Sequence, residues 1–205
     1  MAPCHFFKPK WQHPDPAVRR QAVRALTLQD GDTLIKVARE DEAPAVRQLA
    51  LRRIGDLDIL HSASREDGDK DVREFARTRL SQLLAGKLQD SPALQNRMDF
   101  LCRHPEADLL KFVALSGTET ELRKSAQDRI SRESVLRDVA INDTVAANRL
   151  AALERITQAT VLEAVYRQTR TSDKQVSRQA RDRLDAQREA AERPIRLRTE
   201  SEQNC

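Results

Sequence analysis

Asp15-Pro16-Ala17-Val18-Arg19-Arg20-Gln21-Ala22-Val23-Arg24-Ala25-Leu26 carries the pattern that organises the whole chain. From Val18, VRRQAVRAL sets a register: apolar, Arg, two variable residues, Ala, two variable residues, Arg or Ala, then Leu or Ile. The register returns as VRQLALRRI from Val46, VREFARTRL from Val72, LRKSAQDRI from Leu122, NRLAALERI from Asn148 and VSRQARDRL from Val176. The central Ala is present in all six copies, as Ala22, Ala50, Ala76, Ala126, Ala152 and Ala180, at intervals of 28, 26, 50, 26 and 28 residues. The long interval is close to twice the unit, so a diverged copy is expected inside it. LQNRMDFLC from Leu94 is the candidate, with Met98 at the Ala place and Cys102 at the last apolar place.

On a helix turning about 100° per residue, the first, fifth and ninth positions of the register fall within about 80° of one another and form one narrow apolar stripe. A small Ala at its centre lets a neighbouring helix approach closely. The two recurrent Arg positions flank the stripe, one on each side. Between the signature segments lies a second apolar set: TLIKVA from Thr33, DILHSA from Asp58, LLKFVA from Leu109, VLRDVA from Val135 and VLEAVY from Val161. Two helices in about 27 residues make a hairpin that cannot bury both faces alone and must stack on its neighbours. The expected fold is all-α, an α-solenoid of about seven short helix pairs wound as a right-handed superhelix. Asp15-Pro16, Ala43-Pro44, Gly68-Asp69 and Ser91-Pro92 fall where signature helices should begin, a position that tolerates Pro.

Composition agrees with this reading. With 39% apolar residues in 205, the chain can bury a core, and five Gly with 3% aromatics leave little strand-forming material. The formal charge is only +4, from 36 basic and 32 acidic residues, so nucleic acid is permitted rather than indicated. Arg outnumbers Lys 28 to 8, largely as a consequence of the repeat. Cys4, Cys102 and Cys205 are scattered thiols, which suits a reducing cytoplasm. No apolar run approaches the roughly 20 residues that span a bilayer, so no membrane partner is expected. The predicted organisation is an aromatic and Pro-rich cap over 1–14, repeats one to three over 15–90, the diverged repeat over 91–117, and repeats five to seven with an extended last helix over 118–193. Pro194 is expected to stop that helix, leaving a disordered tail over 194–205.

DPAVRRQAVRAL, APAVRQLALRRI and DKDVREFARTRL resemble the short HEAT-like repeats of bilin lyases, whose units carry Asp, two residues, Val-Arg and a central Ala. The opening Phe6-Phe7-Lys8-Pro9-Lys10-Trp11-Gln12-His13-Pro14-Asp15-Pro16, running into Val18-Arg19, is similar to the N-terminal region of large bacterial cytoplasmic proteins that carry domain of unknown function 349 further on. That resemblance implies no catalytic residue and no cofactor. It also implies that this chain is the front part of something longer.

Two sets of residues are candidate sites. Arg19, Arg47, Arg73, Arg123 and Arg149 repeat in register and are expected to form a structural ladder, each bonding helix ends or acidic turn residues such as Asp15, Asp41, Asp67, Asp69 and Asp143. The same row could instead meet phosphate. Lys36, His61, Lys111, Phe112, Arg137 and Glu163 lie on the second helices, which line the inner face of such stacks, and are expected to contact a partner. Their mixed charges and single aromatic suit a protein or peptide better than a polynucleotide. Trp11 with Phe6 and Phe7 is expected to cap the first repeat. His5, His13, His61 and His104 lack zinc-site spacing, and no phosphate loop or nucleophile elbow is present, so no metal or cofactor is expected. The expected function is protein interaction or scaffolding without catalysis. A nucleic-acid or ribosome-associated module is the alternative, and an enzyme of DNA-glycosylase or bilin-lyase type is the least supported reading.

Overall fold

A computed structural model describes residues 9–203, with side chains for 9–27 and 29–193. Among the described residues the regular secondary structure is all helical, with no strand. Twelve α-helices follow in order: α1 Pro16–Ala25, α2 Gly31–Glu40, α3 Pro44–Leu51, α4 Leu57–Glu66, α5 Lys70–Leu84, α6 Leu94–Arg103, α7 Ala107–Ser116, α8 Thr120–Arg129, α9 Glu133–Asn142, α10 Ala146–Glu154, α11 Ala159–Thr169 and α12 Lys174–Gln203. The six signature segments supply α1, α3, α5, α8, α10 and α12, and the five intervening apolar segments supply α2, α4, α7, α9 and α11. Among the described residues no helix is long and apolar enough to cross a membrane.

Local chemistry sets where the helices start. Pro16 and Pro44 occupy the first helical positions of α1 and α3, where the missing amide hydrogen costs nothing. Asp15, Asp56, Asp69 and Asp173 precede their helices and accept the first free amides, Asp69 from Asp71 and Val72, and Asp173 from Gln175 and Val176.

The chain divides into two compact units, residues 1–100 and 101–205, and the division falls within α6. In the first unit α2 packs on α3, α4 on α5, and α3 touches both α1 and α5. In the second, α7 packs on α8, α9 on α10 and α11 on α12, while α9 touches α7 and α11, and α10 touches α8 and α12. Both units thus set signature helix beside signature helix, and the second also sets second helix beside second helix. Ala50, Ala76, Ala126, Ala152 and Ala180 are wholly inaccessible, whereas Ala22, on the first helix, is half-buried. Fully buried Leu51, Leu60, Leu80, Leu122, Leu136 and Leu153 surround them, each contributing about 2 kcal/mol by leaving water.

Two expectations need correction. In α6 the buried residues are Arg97, Phe100 and Leu101, while Met98 is half-buried and Cys102 exposed. The register therefore runs through Arg97 and Phe100, which puts Phe100 24 residues after Ala76 and 26 before Ala126, closer to the repeat length than Met98. Arg97 donates from Nε to the carbonyl of Pro92 and from Nη1 to that of Leu84, an environment only an extended guanidinium can satisfy. At the other end, α12 does not stop at Pro194 but stays helical to Gln203. The ring removes one amide donor, while the Ala-, Glu- and Arg-rich residues before it favour helix strongly. Among the described side chains of α12 the last apolar burial is Leu184, and every residue over 188–193 is exposed. Phe6 and Phe7 lie outside the described residues.

Candidate functional site

In five of the six signature segments the second residue is an Arg that reaches backwards to the turn before its own helix, while the sixth has Ser177 there. Arg19 Nη1 donates to the carbonyl of His13 at 2.8 Å, Arg47 to Asp41 at 2.8 Å, Arg73 to Asp67 at 2.6 Å, Arg123 to Gly117 at 2.8 Å and Arg149 to Asp143 at 2.7 Å. In every case the acceptor lies six residues earlier, so one guanidinium arm closes the turn.

The other arm reaches forward to the next turn. Arg19 grips the Asp41 carboxylate with Nε at 2.7 Å and Nη2 at 2.8 Å, and Arg47 grips Asp67 in the same fork at 2.8 and 2.6 Å. Asp41 and Asp67 thereby accept from the preceding Arg through the carboxylate and from the following Arg through the carbonyl. Each also accepts an amide two residues on, Ala43 or Asp69. Burial works to raise the Asp67 pKa, but Arg47 and the Asp69 amide outweigh it and hold the carboxyl below its ordinary value. The fork to Asp41 pushes the Arg19 pKa further up.

In the second unit the ladder is interrupted. Arg149 Nε donates to Asp173 at 2.8 Å, but Arg123 has no carboxylate, and its buried Nε has no hydrogen-bond partner. Asp143 stands at the equivalent turn place, 3% exposed, and accepts instead from the Val145 amide at 2.7 Å and the Asn148 side-chain amide at 3.3 Å. Asn148 occupies the first position of its register, where Val18, Val46, Val72 and Val176 stand in other copies.

A second row comes from the eighth position. Arg53 donates to the carbonyl of Val23, Arg79 to Ile54, Arg155 to Gln127 and Ile130, and Arg183 to Leu153 and Ile156. These carbonyls close the preceding signature helix, where positive charge meets the negative end of the helix dipole. The recurrence of Arg at this position was visible in the sequence. Its target was not, because the carbonyl belongs to a helix some 25 to 30 residues earlier.

The six residues expected to meet a partner have these neighbours. Lys36 Nζ lies 5.7 Å from the Trp11 ring centroid, in cation–π range, at a cleft of about 540 Å³ that Arg19, Glu40 and Asp41 also line. His61 meets Phe100 edge-on, with ring centroids 5.7 Å apart. Lys111 on α7 and Arg137 on α9 converge on Asp138, at 2.5 and 2.9 Å. Burial opposes ionisation of that carboxyl, but the two cations hold its pKa below the ordinary range. Phe112 is half-buried, and Glu163 pairs with Arg167 one turn on. Sequence reasoning missed Asp138, because its role depends on α7 and α9 lying side by side.

No protein-family model matches this chain, and no curated protein or solved structure matches it.

Proposed function

We propose that this chain is a non-catalytic protein-interaction or scaffolding module, a HEAT-like α-solenoid of about seven short helix pairs. The resemblance of Phe6 to Arg19 supports placing it in the cytoplasm as the front part of a larger bacterial protein. One observation carries the functional reading. The repeated residues are spent on the stack itself, Ala in the stripe and Arg in two ladders, whereas the residues that differ from one second helix to the next remain accessible. On α7, α9 and α11 these are Lys111, Phe112, Arg137, Ile141 and Glu163, an apolar and mixed-charge set of the kind found at protein interfaces. A stack of this kind puts such positions in a line and offers an extended surface.

The test is cross-linking of the intact chain in a lysate of its source cell, compared with Phe112→Ala/Arg137→Glu. The reading expects one reproducible cross-linked protein to be lost in the variant while the melting temperature changes little. An identical set of cross-linked proteins in both samples would sink it.

A further inference from the structure

The second unit carries a cationic groove that the two Arg ladders do not use. It lies between α11 and the first turns of α12, holds about 460 Å³, and is lined by Tyr166, Arg170, Lys174, Ser177, Arg178 and Arg181, with Asp182 and Asp185 at its far end. We propose that this groove binds single-stranded nucleic acid, with the four cations on the phosphates and Tyr166 stacking on a base. This goes beyond the scaffolding role and is independent of the α7–α9–α11 surface.

Charge comes first. Over residues 166–181 the only carboxylate is Asp173, already held by Arg149 Nε and by the amides of Gln175 and Val176. Arg170 and Lys174 are exposed and have no ion-pair partner among the described residues. Arg178 and Arg181 sit 3.9 and 3.6 Å from Asp182 and Asp185, too far for a hydrogen bond, on side chains 85% and 67% exposed. Such loose exposed pairs leave the guanidinium donors free to turn to a phosphate.

Spacing comes next. Lys174, Arg178 and Arg181 stand at i, i+4 and i+7 and share one face of α12. At 1.5 Å rise per residue they cover about 10 Å, the length of about three stacked nucleotides. Arg170 and Tyr166 face them from the end of α11 across the groove. Tyr166 is half-buried, a fixed ring at the edge of a basic track. Bases of any sequence stack on such a ring, but only when they are not already paired in a duplex. An acidic peptide suits the groove less well, because beyond Tyr166 the lining offers no apolar anchor of the kind that carries protein interfaces.

The experiment titrates the full chain into a fluorescent single-stranded RNA of mixed sequence, about 12 nucleotides long. Binding should be sequence-independent, with a Kd on the order of 10⁻⁵ M at low salt, and should weaken roughly 50-fold between about 0.05 and 0.2 M salt as four cations release counterions. Arg170→Glu/Arg178→Glu should weaken it at least about tenfold, while Arg20→Glu/Arg24→Glu on exposed positions of α1 should leave it unchanged. Tyr166→Leu should cost about tenfold for the single strand and nothing for a duplex of the same length. Circular dichroism melts identify any variant that loses its fold, and the exposed Arg positions keep the test valid if Tyr166→Leu does. Undiminished binding by folded Arg170→Glu/Arg178→Glu overturns the proposal, as does an equal loss in the α1 variant. Equally effective competition by an oligoglutamate peptide of the same length overturns the choice of partner.

Discussion

The first unit's Arg ladder runs unbroken from Arg19 as far as Arg73, which bonds only the turn behind it, whereas the second unit leaves the Arg123 rung open with a buried unbonded Nε. In the first, Arg19, Asp41, Arg47, Asp67 and Arg73 form an unbroken chain of carboxylate forks and turn carbonyls. In the second, Arg123 keeps a buried unbonded Nε while Asp143 is engaged by Asn148. The interiors differ in the same direction. Among the described residues, the buried polar ones in the first unit are Arg19, Ser64 and Arg97, but in the second they are Ser125, Gln127, Asp143, Asn148, Thr169 and Ser177. A single exchange of amide for isopropyl at the first register position supplies a donor that competes for the turn carboxylate. Repeats of one pattern therefore need not have one energetics.

The largest expected effect breaks what both units share. Ala50→Glu and Ala126→Glu should each cost more than about 3 kcal/mol, from overpacking and an unpaired buried charge. Ala45→Glu, on an exposed first-turn position, should stay within about 0.5 kcal/mol of the parent. Equal melting temperatures for Ala50→Glu and Ala45→Glu would show that the stripe lies elsewhere.

Next in size is the carboxylate of the turn. Asp67→Ala removes the partner of a guanidinium fork and should cost about 3 kcal/mol in urea denaturation. Asp143→Ala removes bonds only to neutral donors and should cost about 1 to 2 kcal/mol. If both cost the same, the rung is not open in solution.

Asn148→Val tests the cause of the difference. The site is 6% exposed, and Val both suits the stripe and releases Asp143 toward Arg123, so stability should rise by about 1 kcal/mol. A nitrogen-15 spectrum should show the Arg123 Nε–H moving on substitution. A loss of stability with that resonance unmoved would remove Asn148 as the explanation.

The smallest effect appears in acid. The folded-state pKa values of Asp67 and Asp173 lie below the ordinary 3.8, with burial opposing and the Arg and amide donors prevailing. The unfolded chain therefore binds more protons in acid. The stabilisation is whole above the unfolded value and drains as pH falls below 3.8 through the folded values. Asp67→Asn should flatten the acid limb of stability against pH, and a limb as steep as the parent's would contradict the assigned shift.

Much of this was legible in the chain. The six Ala positions and the five intervening apolar segments marked eleven of the twelve helices, because an apolar stripe at helical period is a property of sequence alone. Diverged α6 was located but mis-registered. Leu94, Met98 and Cys102 look apolar at the right spacing, yet Arg97 is what the turn carbonyls around Pro92 and Leu84 demand. Pro194 read as a stop because a ring in a helix costs one hydrogen bond, a penalty the surrounding helix formers override.

By itself the sequence determined the helical period, the repeat length, the helix starts at Asp and Pro, and the recurrence of Arg beside each stripe, all of which depend on residues within a few positions of one another. Only the tertiary structure decided which carbonyl or carboxylate each Arg takes, that Asp143 turns to Asn148 instead of Arg123, and that Tyr166, Arg170, Lys174, Arg178 and Arg181 line one groove. The physical reason is range. A helix is specified by neighbours in the chain, whereas the partner of a guanidinium is whatever acceptor the stacking of separate helices brings within about 3 Å.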